Sequence, residues 1–181
     1  MELKNDDRFC FNNLKRKFVG GKFMGELNMV KAQEVYESLC SALEAIDWNF
    51  DKKAEQLTIV SSASGDDFPV EFVMRVNPRN EIVTFTSWLP FKVPEDKRVD
   101  LAIAICVANY RFADGSFDYN VSDGTISFRL TASYKESTLG AELFRYMLGV
   151  SISTVDDYND KFFMLIKNMM TVQQFIENES K

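Results

Sequence analysis

The stretch "FPVEFVMRV" puts Phe68, Val70, Phe72, Met74 and Val76 at every second position, with Pro69, Glu71, Val73 and Arg75 between them. Successive side chains on a strand point to opposite faces, so this period of two dictates a strand with one apolar face. The neighbouring runs "LTIVSS" and "IVTFTSW" read as strands as well. Between the second and third, "NPRN" at 77–80 places Pro78 where a type I turn favours it, and a hairpin is expected there.

Helical patterns flank these strands. Val35, Leu39, Leu43 and Ile46 recur at helical spacing over residues 30–47, with Lys and Glu between them. After "LPFKVP", the acidic pair Glu95-Asp96 following Pro94 suits the positive end of a helix that runs to about residue 111. From Leu101 to Ala108 that helix has no polar residue. A surface helix keeps one polar face, so this one is expected to be covered on more than one side. The sheet supplies one cover; the C-terminal helices or a second copy of the chain supply the other.

The segment "ANYRFADGSFDYNVSDGTISFRL" holds two Asp-Gly pairs and invites comparison with a metal loop. A calcium loop starting at Asp114 would need Gly at its sixth position and Glu at its twelfth, where the chain has Tyr119 and Thr125. Alternation explains the segment better: Phe117, Tyr119 and Val121 on one strand, Ile126, Phe128 and Leu130 on the next. Ser122-Asp123-Gly124 is then the turn, and Gly115 lets the chain leave the preceding helix for the sheet. The end is helical, from a cap at Ser137 or Thr138, with one stripe through Leu139, Leu143 and Met147 and another through Tyr158, Phe162, Leu165, Met169 and Ile176. Gly149 and "SIST" weaken the middle, so two helices or one kinked helix are expected.

The resulting order α-β-β-β-α-β-β-α, with an antiparallel sheet of about five strands flanked by helices, is an α+β fold. A chain of 181 residues with 46% apolar content supports one domain, here 26–181, behind a distinct arm at 1–25. The arm carries net +3 and the remainder −9 of the overall −6. Within it Phe11, Leu14 and Phe18 form a stripe that Asn5 or Asp6 can cap and Gly20-Gly21 can stop. This short helix packs on the body or docks on a partner, and those three residues are the candidate partner-binding positions. The acidic balance argues against nucleic acid, which is bound through clustered Lys and Arg. No run approaches the ~18 apolar residues of a membrane span, and "MELKNDDRFCF" lacks the apolar core of a signal peptide, so a cytoplasmic location is expected.

Histidine is absent, which removes His-based triads, Cys-His dyads and HExxH zinc sites together. Cys10, Cys40 and Cys106 are too far apart for a CxxC pair. Cys106 lies in the apolar helix and reads as inert core, leaving Cys10, beside Arg8, as a remote reactive thiol. Asp156 and Asp160 share a helix face, but Thr154, Asp156 and Asp157 read as the cap of a helix N-terminus rather than a metal site. Met169-Met170 reads as core filling, and "GGKF" lacks a phosphate-loop frame. No catalytic residue, cofactor site or metal site is therefore assigned.

The run from Leu89 to Arg129 adds a more specific signal. Leu89-Pro90, Val93-Pro94, Asn109, Gly115 with Phe117, Asp123-Gly124 and Phe128-Arg129 follow one another in a pattern that resembles the bacterial YbjN-like family of sensory transduction regulators. The likeness spans roughly residues 30–175, leaving the arm and the tail "KNMMTVQQFIENESK" outside what it requires. It implies a type III secretion chaperone-like fold and a non-enzymatic module that binds another protein, with a homodimer formed through the 95–111 helix. The other functions left open are a binder of a small apolar ligand and an enzyme using carboxylates or Cys10.

Overall fold

The computed structural model describes residues 28–180. Helix α1 (Met29–Glu44) is capped by the Asn28 side chain, which accepts from the Lys31 amide at 3.0 Å. Strands β1 (Asp51–Lys53), β2 (Thr58–Ala63), β3 (Val70–Asn77) and β4 (Ile82–Lys92) follow. Then come helix α2 (Arg98–Arg111), entered through a short 3-10 turn at Glu95–Lys97, and strands β5 (Ser116–Asn120) and β6 (Thr125–Ser133). Helices α3 (Ala141–Ile166) and α4 (Val172–Glu179) complete the order.

The six strands form one antiparallel sheet in the order β1-β2-β3-β4-β6-β5. The alternation does what its period requires. Phe72, Met74, Phe85, Ile126 and Phe128 are buried on the face that α1, α2 and α3 cover. Glu71, Arg75, Trp88, Arg129 and Thr131 are exposed on the other, on which no helix packs among the described residues. Ser87 is the polar exception on the covered face, and its hydroxyl donates to the Glu71 carbonyl at 2.8 Å.

The expected α+β order holds, with differences in detail. The sheet has a sixth strand, β1, whose residues are all exposed. The hairpin forms at 78–81, where the Asn77 side chain accepts from the amides of Arg79 and Asn80. Helix α3 starts at Gly140 with no side-chain cap, not at Ser137 or Thr138, and runs unbroken through Gly149 for 26 residues. Thr154, Asp156 and Asp157 therefore lie mid-helix and cap nothing. Gly149 is exposed while Met147, Leu148, Ser151 and Val155 are buried, so burial of neighbouring turns outweighs the roughly 1 kcal/mol a helical glycine costs. Met169 falls in the turn between α3 and α4 and is exposed, not core.

Candidate protein-binding surface

Helix α2 turns Leu101, Ala104, Ile105 and Ala108 inward. Among the described residues its expected full covering is not achieved. Val99, Ile103, Cys106 and Tyr110, spaced by four, three and four residues, form a single exposed strip, with Val99 71%, Ile103 41% and Tyr110 91% accessible. The helix has more apolar residues than one face can bury, and the surplus meets solvent. This also corrects the reading of Cys106: it sits on the outer strip, not in the core. Of the two described cysteines Cys40 is the buried one, and burial pushes its pKa up against the opposing hydrogen bond with Tyr36.

At the C-terminal end of α2, Asn109 reaches the edge strand β5. Its side-chain oxygen accepts from the Phe117 amide at 2.8 Å and its nitrogen donates to the Phe117 carbonyl at 3.0 Å. An edge strand has unpaired backbone groups that attract other strands. Here one side-chain amide stands in for the missing neighbour, pinning α2 to β5 and closing the edge at that residue. Replacing it leaves two part-buried backbone groups unpaired, which costs about 1–3 kcal/mol. Asn109→Ala is expected to lower the midpoint of denaturant unfolding accordingly, while Asn120→Ala at the far end of β5 moves it less.

The opposite edge is less defended. Strand β1 pairs with Thr58, Ile59 and Val60, so β2 extends past it at Ser61–Ala63. An open depression of about 560 Å³ lies there, lined by Phe50, Val60, Ser62 and Glu71 among others. Trp48 donates to the Ser61 hydroxyl at 2.9 Å, and that hydroxyl donates to the Asn49 carbonyl at 2.5 Å, so the chain leading into β1 is held by side chains.

Two of the acids on α3, Asp156 and Asp160, accept hydrogen bonds from backbone amides. Asp156 accepts from the Asp66 amide at 3.0 Å and ties α3 to the β2–β3 loop. Burial, with Asp67 and Asp156 nearby, raises the pKa of Asp160. Among the described residues no three Cys, Asp or Glu side chains stand together as a metal-binding group. Among the described residues Glu179 is the buried acid: Tyr158 donates to it at 2.6 Å, Lys161 at 2.9 Å, and Arg111 lies 4.0 Å away. Desolvation would raise its pKa, but these donors and cations together hold it below the usual carboxylate value. A lowered pKa stabilises the fold above the unfolded-state value, about 4.3, and that stabilisation is lost as the pH falls through the folded value. The melting temperatures of wild type and Glu179→Gln are thus expected to differ at pH 7 and to converge toward pH 3.

Phe11, Leu14, Phe18 and Cys10 lie outside the described residues. No described helix is long and apolar enough to cross a membrane.

The family model for YbjN, "Putative bacterial sensory transduction regulator", matches residues 36–164. The chain belongs to the YbjN family. Its fold is that of type III secretion chaperones. The structure of YbjN from E. coli matches with a TM-score of 0.51 at 11% identity, over 70% of this chain and 92% of that one. A chain of the HopA1-SchA chaperone-effector complex matches with a TM-score of 0.50 at 11% identity, covering 75% of this chain and 99% of that one. A chain of the ExsC-ExsE complex matches at 0.51 and 14% identity, over 71% and 93% respectively. A comparison with curated proteins finds no match. The YbjN match includes Asn109, whose role as an edge clamp the order of residues alone did not reveal; α4 lies beyond it.

Proposed function

We propose that this YbjN-family chain is a non-enzymatic module of the bacterial cytoplasm that binds an extended segment of another protein. The observation that carries the reading is the β2 edge, which runs past β1 at Ser61–Ala63 beside an open depression; the apolar α2 strip of Val99, Ile103, Cys106 and Tyr110 supports self-association. The chaperone-effector complex among the structural matches supports the same class of function. In this reading the strip seats a second copy of the chain, and the partner segment lies along the β2 edge, where backbone pairing gives affinity. The arm, through Phe11, Leu14 and Phe18, is the docking element that adapts this copy to its partner.

The homodimer has its own test. Ile103→Glu combined with Tyr110→Glu places two charges on an apolar contact, and light scattering at micromolar concentration is expected to move from a dimer mass to a monomer mass. A wild-type monomer mass would remove the dimer.

The functional test is recovery of partners from the native host, with the full chain and with residues 1–25 deleted. The full chain is expected to recover a specific protein, and the deletion to lose most of it while its melting temperature falls by only a few degrees. Equal recovery by both removes the arm from the docking role; recovery of nothing by the full chain removes the binding function.

A further inference from the structure

Helix α4 occupies a groove that the rest of the fold builds without it. The groove walls come from the end of α2 through Arg111 and from α3 through Tyr158, Lys161 and Phe162, with Phe112 and Phe117 backing the two rings. Tyr158 meets Phe112 edge to face at 5.3 Å, and Phe117 meets Phe162 at 5.0 Å, so the aromatic walls are braced against each other. Into them α4 inserts one ring, Phe175, 1% exposed, whose centroid lies 6.0 Å from Phe162 and 6.4 Å from Tyr158. One turn on, Glu179 reaches Tyr158, Lys161 and Arg111 at the groove's polar end. Phe175 and Glu179 are the buried residues of α4.

We propose that this groove is a recognition site for an amphipathic helix bearing an aromatic residue and a carboxylate four positions later, and that α4 is its built-in, displaceable occupant. Residues i and i+4 lie on one helix face, so a single face of any such helix carries both anchors. Three observations make α4 displaceable. It has eight residues, below the ~12–15 at which an isolated helix holds in water, so its order depends on tertiary contact: Phe175, Glu179 and its packing on α2. Its start is self-contained: the Thr171 and Gln174 side chains and backbone amides form a reciprocal capping box, which moves with the helix. It lies beyond residues 36–164, the part that matches the YbjN family, so the matched domain does not include it. The groove goes beyond the proposed function, which seats an extended segment on the β2 edge, by naming a second, helical ligand; it rests on the protein-binding reading only for the existence of a natural one.

The probe is a fluorescein-labelled peptide with the sequence of residues 168–181, titrated by anisotropy into full-length chains. In wild type the tethered α4 competes at an effective concentration in the millimolar range, which weakens external binding. Phe175→Ala removes the anchor of that competitor, and this chain is expected to bind the probe at least tenfold more tightly than wild type. Adding Tyr158→Phe, which deletes a hydrogen bond to the probe's carboxylate, is expected to weaken binding at least threefold. A probe with its own Phe changed to Ala is expected not to bind. Equal binding to wild type and Phe175→Ala, or binding that ignores the probe's Phe, overturns the proposal.

Hydrogen exchange on wild type decides the matter even if Phe175→Ala fails to fold. Amides of 175–179 are expected to exchange at least tenfold faster than those of 158–162, by local opening. Equal protection would make α4 part of the global core and overturn displaceability. Partner recovery from the host does not require the groove to open, so failure here and failure of the binding function are separable.

Discussion

Gly124→Val is expected to destabilise the fold by about 4 kcal/mol or more, placing it in the range that demands a specific structural cause. Two causes coincide. Gly124 has φ +78°, a region costly for β-branched residues. Its Cα also faces the backbone of Val93, so closely that an added Cβ would lie 2.3 Å from the Val93 carbonyl oxygen. The contact cannot simply open, because the Val93 amide donates to the Gly124 carbonyl at 2.9 Å and the Gly124 amide donates to Asn120 at 2.8 Å. Asn tolerates positive φ, so Gly124→Asn separates the causes: if φ alone mattered it would be mild, and the Val93 contact makes it severe. Asp114→Ala removes one exposed hydrogen bond from Tyr146, at 2.5 Å, and is expected to cost no more than about 1 kcal/mol. Thermal melts of the three variants give the order, with Gly124→Val lower than wild type by on the order of 10 °C. A Gly124→Asn melt near that of Asp114→Ala would mean that Val93 yields.

The same contact explains what could be read from the sequence. Val93-Pro94 and Asp123-Gly124 entered the family resemblance as separate fragments, yet Val93 and Gly124 touch. Asn109 and Phe117 are joined by two hydrogen bonds. Gly115, at φ +78°, leaves room for Phe128, whose ring would lie 2.4 Å from an added Cβ. Spacing along the chain identified these residues as fold-setting, but pairing is a property of the folded sheet and has no periodicity. The helices and long strands were legible because each buries one face at a regular interval. Strand β1 was not: Asp51, Lys52 and Lys53 are exposed and hold their place through pairing with β2 and the Lys52–Glu44 ion pair, neither of which leaves an apolar period. Helix α3 defeated a local rule, since Gly149 and the Ser-rich turn after it weaken helix propensity while the buried residues around them decide the outcome. The α2 strip was half legible: its apolar excess was plain, but which positions face outward depends on where α3, α4 and β5 pack.

Phe117→Ala is expected to cost about 3–5 kcal/mol, as large-to-small changes of buried aromatics do. Phe117 is 3% exposed and sits where α2, β5, β6 and α3 converge, its ring centroid 5.0 Å from Phe162, 5.2 Å from Phe128 and 5.8 Å from both Phe112 and Tyr158. The cavity left by its removal is walled by rings that brace one another, so it cannot collapse without moving α2 against α3. Phe68 offers the contrast: it touches Phe91 and Phe163 at 5.7 and 5.2 Å, but all three rings are only partly buried. Water and neighbouring side chains can fill its place, and Phe68→Ala should cost about 1–2 kcal/mol. Because Phe117 backs Tyr158 and Phe162, the two rings that Phe175 of α4 meets, Phe117→Ala should also speed hydrogen exchange in α4 more than in α1. Paired urea titrations give the first comparison and exchange rates the second. A smaller loss for Phe117→Ala than for Phe68→Ala would move the centre of the core away from the α2–β5–α3 junction and remove the physical link between that junction and the C-terminal helix.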